Sequence, residues 1–264
     1  MKKKSHIKRI LCILIVLALF LPVAGCRPAQ SSVSVPANDI ICDLPADSSM
    51  DFLKNIVYNA AYTYDVPVSS YRTVNDEVCA LSDLVVPYID INSADAAAAN
   101  KEIKALYERL AKAFKTEAEG EKIQYSLSCY NTFVYGSVLS ILIIVTSGGT
   151  APAVRSYYAY NLDLETLKKV SYTEACTACG QNSDALGAKV ETAILDTLSE
   201  DADDIFSEEF PKDHYVDVSM KNYNDSVRDD SIQYFIGEDN ILNVVVKLEV
   251  PYGDGEFFAT LPIK

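Results

Sequence analysis

Apolar residues between Asp95 and Glu117 recur at spacings of three and four, with Ile103, Leu106, Tyr107, Leu110 and Phe114 on one stripe among charged neighbours. That period predicts an amphipathic helix over 95–117. Ser93 or Asp95 offers its N-cap and Gly120 its stop. Upstream, LVVPYIDI (84–91) reads as an extended segment interrupted by Pro87, with Tyr88, Ile89 and Ile91 available for burial. Downstream the period falls to two. Ile123, Tyr125, Leu127 and Cys129 alternate, FVYGSVLSILIIV (133–145) follows, SGGTAP makes a turn, and VRSYYAYNLDL runs over 154–164. Three strands in a meander are expected.

Residues 123–154 carry no charge, which raises a membrane span as an alternative. Asn131, Gly136 and many hydroxyls argue against it, and the strictly apolar core is shorter than the roughly 20 residues a span requires. A second helix is predicted over 183–199, with Leu186, Val190, Ile194 and Leu198 on one face and Gly187 as a weak point. Residues 201–230 read as acidic and irregular. SIQYFI, ILNVVVKLEV and FFATLPI, separated by GEDN and PYGDG, close the chain as three more strands. The expected fold is α+β, with antiparallel sheet meanders and two main helices packed on the sheet.

The N-terminus carries Lys2, Lys3, Lys4, Lys8 and Arg9, then the apolar run Ile10–Leu21, then small residues at Ala24 and Gly25. This is the pattern of a signal peptide over 1–25. Val23-Ala24-Gly25-Cys26 resembles the bacterial lipobox, which implies a diacylglyceryl thioether on Cys26, a palmitate-type acyl anchor and a place on the outer face of the cell membrane. An ordinary signal peptide with a nearby cysteine is the alternative. Residues 26–50, rich in Ser, Pro and Ala, read as anchor and flexible linker, leaving 51–264 as the surface domain, with a division into subdomains of about 51–170 and 171–264 left open.

Loss of the five basic leader residues from 23 leaves 18 against 37 acidic, a mature charge of −19. Nucleic acid is excluded as a partner, and a charge-driven partner should be cationic: calcium or a basic protein. Simple solubility explains the same charge. Five cysteines remain beyond Cys12 and Cys26, namely Cys42, Cys79, Cys129, Cys176 and Cys179. An odd count outside the cell does not suit a disulfide framework.

Catalytic signatures are sparse. His214 is the mature chain's single histidine, so common zinc sites and a His-dependent triad are hard to assemble. Cys176-Thr-Ala-Cys179 is a C-x-x-C placed at a helix entry, open to three readings: buried structural thiols, a local disulfide, or a redox or metal pair. Acidic groups at Asp201, Asp203, Asp204, Glu208 and Glu209, and at Asp225, Asp229 and Asp230, lack the fixed spacing of a calcium loop. Tyr157, Tyr158 and Tyr160 suit either cross-strand packing or stacking on sugars. No cofactor, metal ligand set or catalytic residue is expected.

Three segments, in this order, resemble a known family: VPYIDINSADAAAANKEI, YYAYNLDLETLKKVSYTEA and NVVVKLEVPYGDGEFFATLPI. Together they are similar to the extracytoplasmic domains that precede polysaccharide (peptidoglycan) deacetylase modules and form the ectodomain of the lysozyme-sensing anti-sigma-V factor. The likeness covers roughly residues 55–264. The family's hairpin glycine is absent, with Thr166-Leu167-Lys168 in its place, and the chain ends at Lys264 without a deacetylase module. The resemblance implies a non-enzymatic domain that binds or senses something at the cell envelope, with a basic muramidase such as lysozyme or a wall component as its partner. An extracytoplasmic thiol–disulfide protein using the CTAC motif and a calcium-dependent adhesion module are the alternatives.

Overall fold

The computed structural model describes residues 53–62, 69–74, 77–118, 124–149, 154–202, 206–207, 209–251 and 256–264. The leader, Cys26, Cys42 and the linker lie outside them, as do Asp203, Asp204 and Glu208. In chain order, α1 (Leu53–Ile56), β1 (Val57–Asn59), β2 (Ser69–Val74), β3 (Glu77–Leu84) and β4 (Pro87–Ile89) precede the long helix α2 (Ala94–Ala118). Then come β5 (Gln124–Tyr135), β6 (Val138–Gly149), β7 (Val154–Asp163), α3 (Tyr172–Ala178), α4 (Leu186–Ala202) and α5 (Lys212–Arg228). The strands β8 (Gln233–Ile236), β9 (Leu242–Glu249) and β10 (Glu256–Ile263) end the chain. The fold is α+β. These residues belong to one compact unit spanning Pro36–Lys264.

The described residues form three sheets: β2-β3-β5-β6-β7, β10-β9-β8 and the small pair β1-β4. In the large sheet β5, β6 and β7 make the expected antiparallel meander, and β3 joins it in parallel with β5, with Ala80 opposite Gln124. The chain returns through α2, and a helical crossover is what a parallel pair requires. The first hairpin differs from its predicted form. β5 runs unbroken to Tyr135 and turns at Gly136, whose φ of 57° a side chain would resist. A tight turn there pairs twelve residues of β5 with β6, carrying Asn131 and Thr132 through as strand residues. A second correction is α5, in a stretch expected to be irregular. Its apolar positions are few, yet Val216, Ser219 and Tyr223 make a narrow buried stripe that docks on β9.

The two faces of β6 divide the interior. Leu139, Ile141, Ile143 and Val145 point to one side, where they meet Ile103, Leu106 and Tyr107 of α2. Ser93 caps α2 by accepting from the Ala96 amide, and Asn100 grips β4 twice, accepting from Ile89 N and donating to Ile89 O, both at 2.8 Å. A second core joins α3, α4 and α5 to the inner face of β8–β10 through Leu186, Val190, Ile194, Leu198, Val244 and Leu261. Tyr135 and Val138 reach into this core from the large sheet, and Phe133 stacks on Phe235 at 5.5 Å.

Where the sheets meet, β8 lies buried against the face of β5–β7, so its outer backbone edge has lost water. Side chains replace it. Ser140 Oγ accepts from the Ile236 amide at 3.0 Å and donates to Asn161 Oδ1 at 2.6 Å, while Asn161 Nδ2 donates to Tyr234 O at 2.8 Å. Ser140 is fully buried and Asn161 nearly so. β8 is shorter than β9, and α5 covers the excess: Asn222 Nδ2 donates to Lys247 O, and Ser219 Oγ accepts from the Glu249 amide. Buried backbone groups demand partners, and each of these edges receives them.

Ser140→Ala strands the Ile236 amide and Asn161 Oδ1 together, so it should cost about 1–3 kcal/mol, a penalty typical of a buried polar group left unpaired. Denaturant midpoints should show this, and Ser140→Ala combined with Asn161→Ala should cost less than the two single changes summed.

Candidate functional site

Among the described residues, the outer edge of β7 is closed at one end only. Beyond Asn161 the chain folds back, and Val170 N donates to Asn161 O while Asp163 N donates to Lys168 O. This return turns on Leu167, a left-handed residue at φ 60°. Asp163 braces the turn. Its carboxylate accepts from Ser137 Oγ and from the Thr166 and Glu165 amides, and those bonds, Ser137's first, hold its pKa down to about 2. Next along the edge, Gln233 Oε1 accepts from the Ala159 amide at 2.8 Å, standing in for a neighbouring strand's carbonyl.

Two hollows follow this edge and share Tyr158, Ile232 and Gln233. The first, about 400 Å³, is walled by α2, by β7 from Tyr158 to Leu162 and by residues 230–234. Asp95 and Glu102 are seven residues apart on α2 and so share a face, with Ala98 and Ala99 keeping the space between them open. Asp95 Oδ2 accepts from the Lys169 amide at 2.7 Å, so of the two cap candidates Ser93 caps the helix and Asp95 ties α2 to the segment after β7. Tyr158 and Tyr160 pack toward α2, with Arg109 5.9 Å over the Tyr158 ring. Burial and then the charge of Glu102 push the Tyr160 phenol above its ordinary pKa. The second hollow, about 500 Å³, is walled by Ser156 and Tyr157, by Val245, Lys247 and Phe258, and by the end of α5.

Each tyrosine stands opposite an isoleucine of β6: Tyr157 with Ile144, Tyr158 with Ile143, Tyr160 with Ile141. These are cross-strand pairs whose edges also line the hollows. Sequence reasoning missed Glu102, Lys169 and Gln233. The i, i+7 acid pair Asp95 and Glu102 was a readable signal on α2, whereas Gln233 had none.

The cysteine pair sits at the exit of α3 rather than at an entry, with Cys179 as the C-cap. Ser171 and Glu174 form a reciprocal capping box at the other end, and this hydrogen bonding lowers the Glu174 pKa. None of Cys129, Cys176 and Cys179 is in a disulfide. Cys176 is wholly buried beside Tyr172, and burial raises its pKa from 9.0 to about 11; burial also raises Cys179. A helix C-terminus adds no help to a thiolate. Tyr172 and Tyr223 share a buried hydroxyl contact at 3.0 Å, and Tyr234 donates to Val170 O at 2.6 Å, closing a polar cluster around this thiol.

His214 is exposed on α5, edge-on to Tyr215. Asp225 is engaged by Lys221 and Arg228, and Asp229 by Arg228, so these two carboxylates are neutralised along the helix. Glu209 is exposed. Among the described residues no three His, Cys, Asp or Glu side chains converge on a point where a metal ion would sit. None of their helices is long and apolar enough to cross a membrane. Neither protein-family models nor curated proteins give a match to the chain.

Between pH 9.0 and about 11 the native state keeps the Cys176 proton that the unfolded chain has lost, so stability should fall as pH rises through that window. At pH 8 alkylation of Cys176 should run about a hundredfold slower in the native than in the urea-unfolded chain, from thiolate fraction alone. Mass spectrometry of alkylated peptides measures this.

Proposed function

We propose that this chain is a non-enzymatic binding domain, held on the outer face of the membrane by lipid on Cys26, that recognises a cationic wall-associated protein of the lysozyme kind. The observation that carries the reading is the groove beside β7. Asp95, Glu102 and Asp230 line it without an ion pair among the described residues, with the half-buried rings of Tyr158 and Tyr160 between them. Carboxylates at a low-dielectric aromatic wall act on a cation more strongly than the same charges in open water. Tyrosines add apolar area at small entropic cost, with a hydroxyl at the rim for polar contacts. A mature charge of −19 steers a basic protein toward this surface. The resemblance to lysozyme-sensing ectodomains points to the same class of ligand. The lipobox pattern supplies the address.

Full chain in detergent, incubated with lysozyme and with a cell-wall extract, should capture lysozyme or a basic wall protein at about 50 mM salt and lose most of it at about 500 mM, as screening shortens the reach of the groove's charge. Glu102→Gln combined with Asp230→Asn should weaken capture about tenfold. Absence of capture at both salt concentrations overturns the reading.

A further inference from the structure

Resting on that reading, the geometry points to a mode of binding: an extended basic segment of the partner adds as a strand to the open edge of β7. In this strand the odd-numbered residues turn their amide and carbonyl groups away from β6, as the outward bonds of Ala159, Asn161 and Asp163 show. By the same alternation Arg155 and Tyr157 present both backbone groups outward, and Ala159 presents its carbonyl. No described residue bonds to any of these. The outer edge of β8 is closed by Ser140 and Asn161, the exposed half of β9 by Asn222 and Ser219, and Pro262 removes an outward donor from β10. Proteins blunt strand edges because unpaired ones recruit other chains. At β7 the blunting stops at Ala159.

The surroundings fit a strand. The two hollows lie end to end along β7 from Ser156 to Leu162, and the stretch whose edge is open, Arg155 to Ala159, spans about 13 Å at a strand's rise, room for about five extended residues. Gln233 already occupies one position of the missing strand with an amide oxygen, the group a peptide would bring. Charge selects the occupant. Asp95, Glu102 and Asp230 line the first hollow against Lys169, while in the second Asp225 and Asp229 are already paired along α5 and stand beside Lys247. A second copy pairing edge to edge would bring the same carboxylates face to face. A basic peptide instead gains backbone hydrogen bonds from the edge and side-chain attraction from its walls.

The test uses full chain in detergent and a synthetic octapeptide of alternating Lys and Val, with calorimetric affinity as the readout. Tyr157→Pro removes one outward donor without touching the β6–β7 ladder and should weaken binding about tenfold, whereas Tyr157→Val should bind within about threefold of the parent. Methylating every backbone nitrogen of the peptide, which keeps its charges, should abolish binding, and this arm stands even if the proline variant fails to fold. Equal affinity for the methylated peptide overturns strand addition. Equal affinity for an alternating Glu and Val octapeptide overturns the basic occupant, as does dimerisation through β7 that the Lys and Val peptide cannot displace. Capture of lysozyme with no octapeptide binding overturns this inference while leaving the proposed function standing, and octapeptide binding without protein capture does the reverse.

Discussion

A buried strand edge has to find hydrogen-bond partners, and in this chain two side chains supply them for β8. Ser140 and Asn161 project from the large sheet, bond to one another, and close the Ile236 amide and the Tyr234 carbonyl. Without them the small sheet could reach the large one only by stranding backbone groups away from water, at a cost comparable to a large fraction of a domain's net stability. With them, Phe133 can stack on Phe235, and the core built on α3–α5 becomes continuous with Tyr135 and Val138. The position of residues 230–234, and so the groove beside β7, depends on the same clasp.

Much of the architecture was legible because burial writes a period into the sequence. The stripe from Ile103 to Leu110 gave α2 within a residue or two, and Leu186 to Leu198 gave α4. The closing strands were readable for the same reason, since Leu242, Val244, Val246 and Leu248 all face one core. Failures came where partners far along the chain decide. α5 buries a serine and a tyrosine on a mostly polar helix, a pattern that becomes meaningful only once β9 offers an edge needing Ser219 and Asn222. The parallel pairing of β3 with β5 depends on where α2 delivers the chain, which no local window contains. Ser140 and Asn161 carry no local signal of their roles, since their targets lie 96 and 73 residues away.

The site was legible in its materials and not in its assembly. Acidic charge and a tyrosine-rich strand were visible, but nothing local says that Glu102 and Tyr160 share a wall, or that Gln233 crosses from the small sheet to cap Ala159. The thiols show the opposite relation. Their C-x-x-C spacing draws the eye, whereas burial, raised pKa values and a place at the exit of α3 oppose thiolate chemistry. The proposed function rests accordingly on a surface, where backbone edge, aromatic wall and carboxylates coincide.

Native-state amide hydrogen exchange on the free chain tests the account most directly, because it reads closed and open edges in one experiment. The account predicts that the Ile236 amide, closed by Ser140, exchanges only through global unfolding, while the Arg155 and Tyr157 amides exchange at close to unprotected rates. Slow exchange at Tyr157, or fast exchange at Ile236, would contradict it.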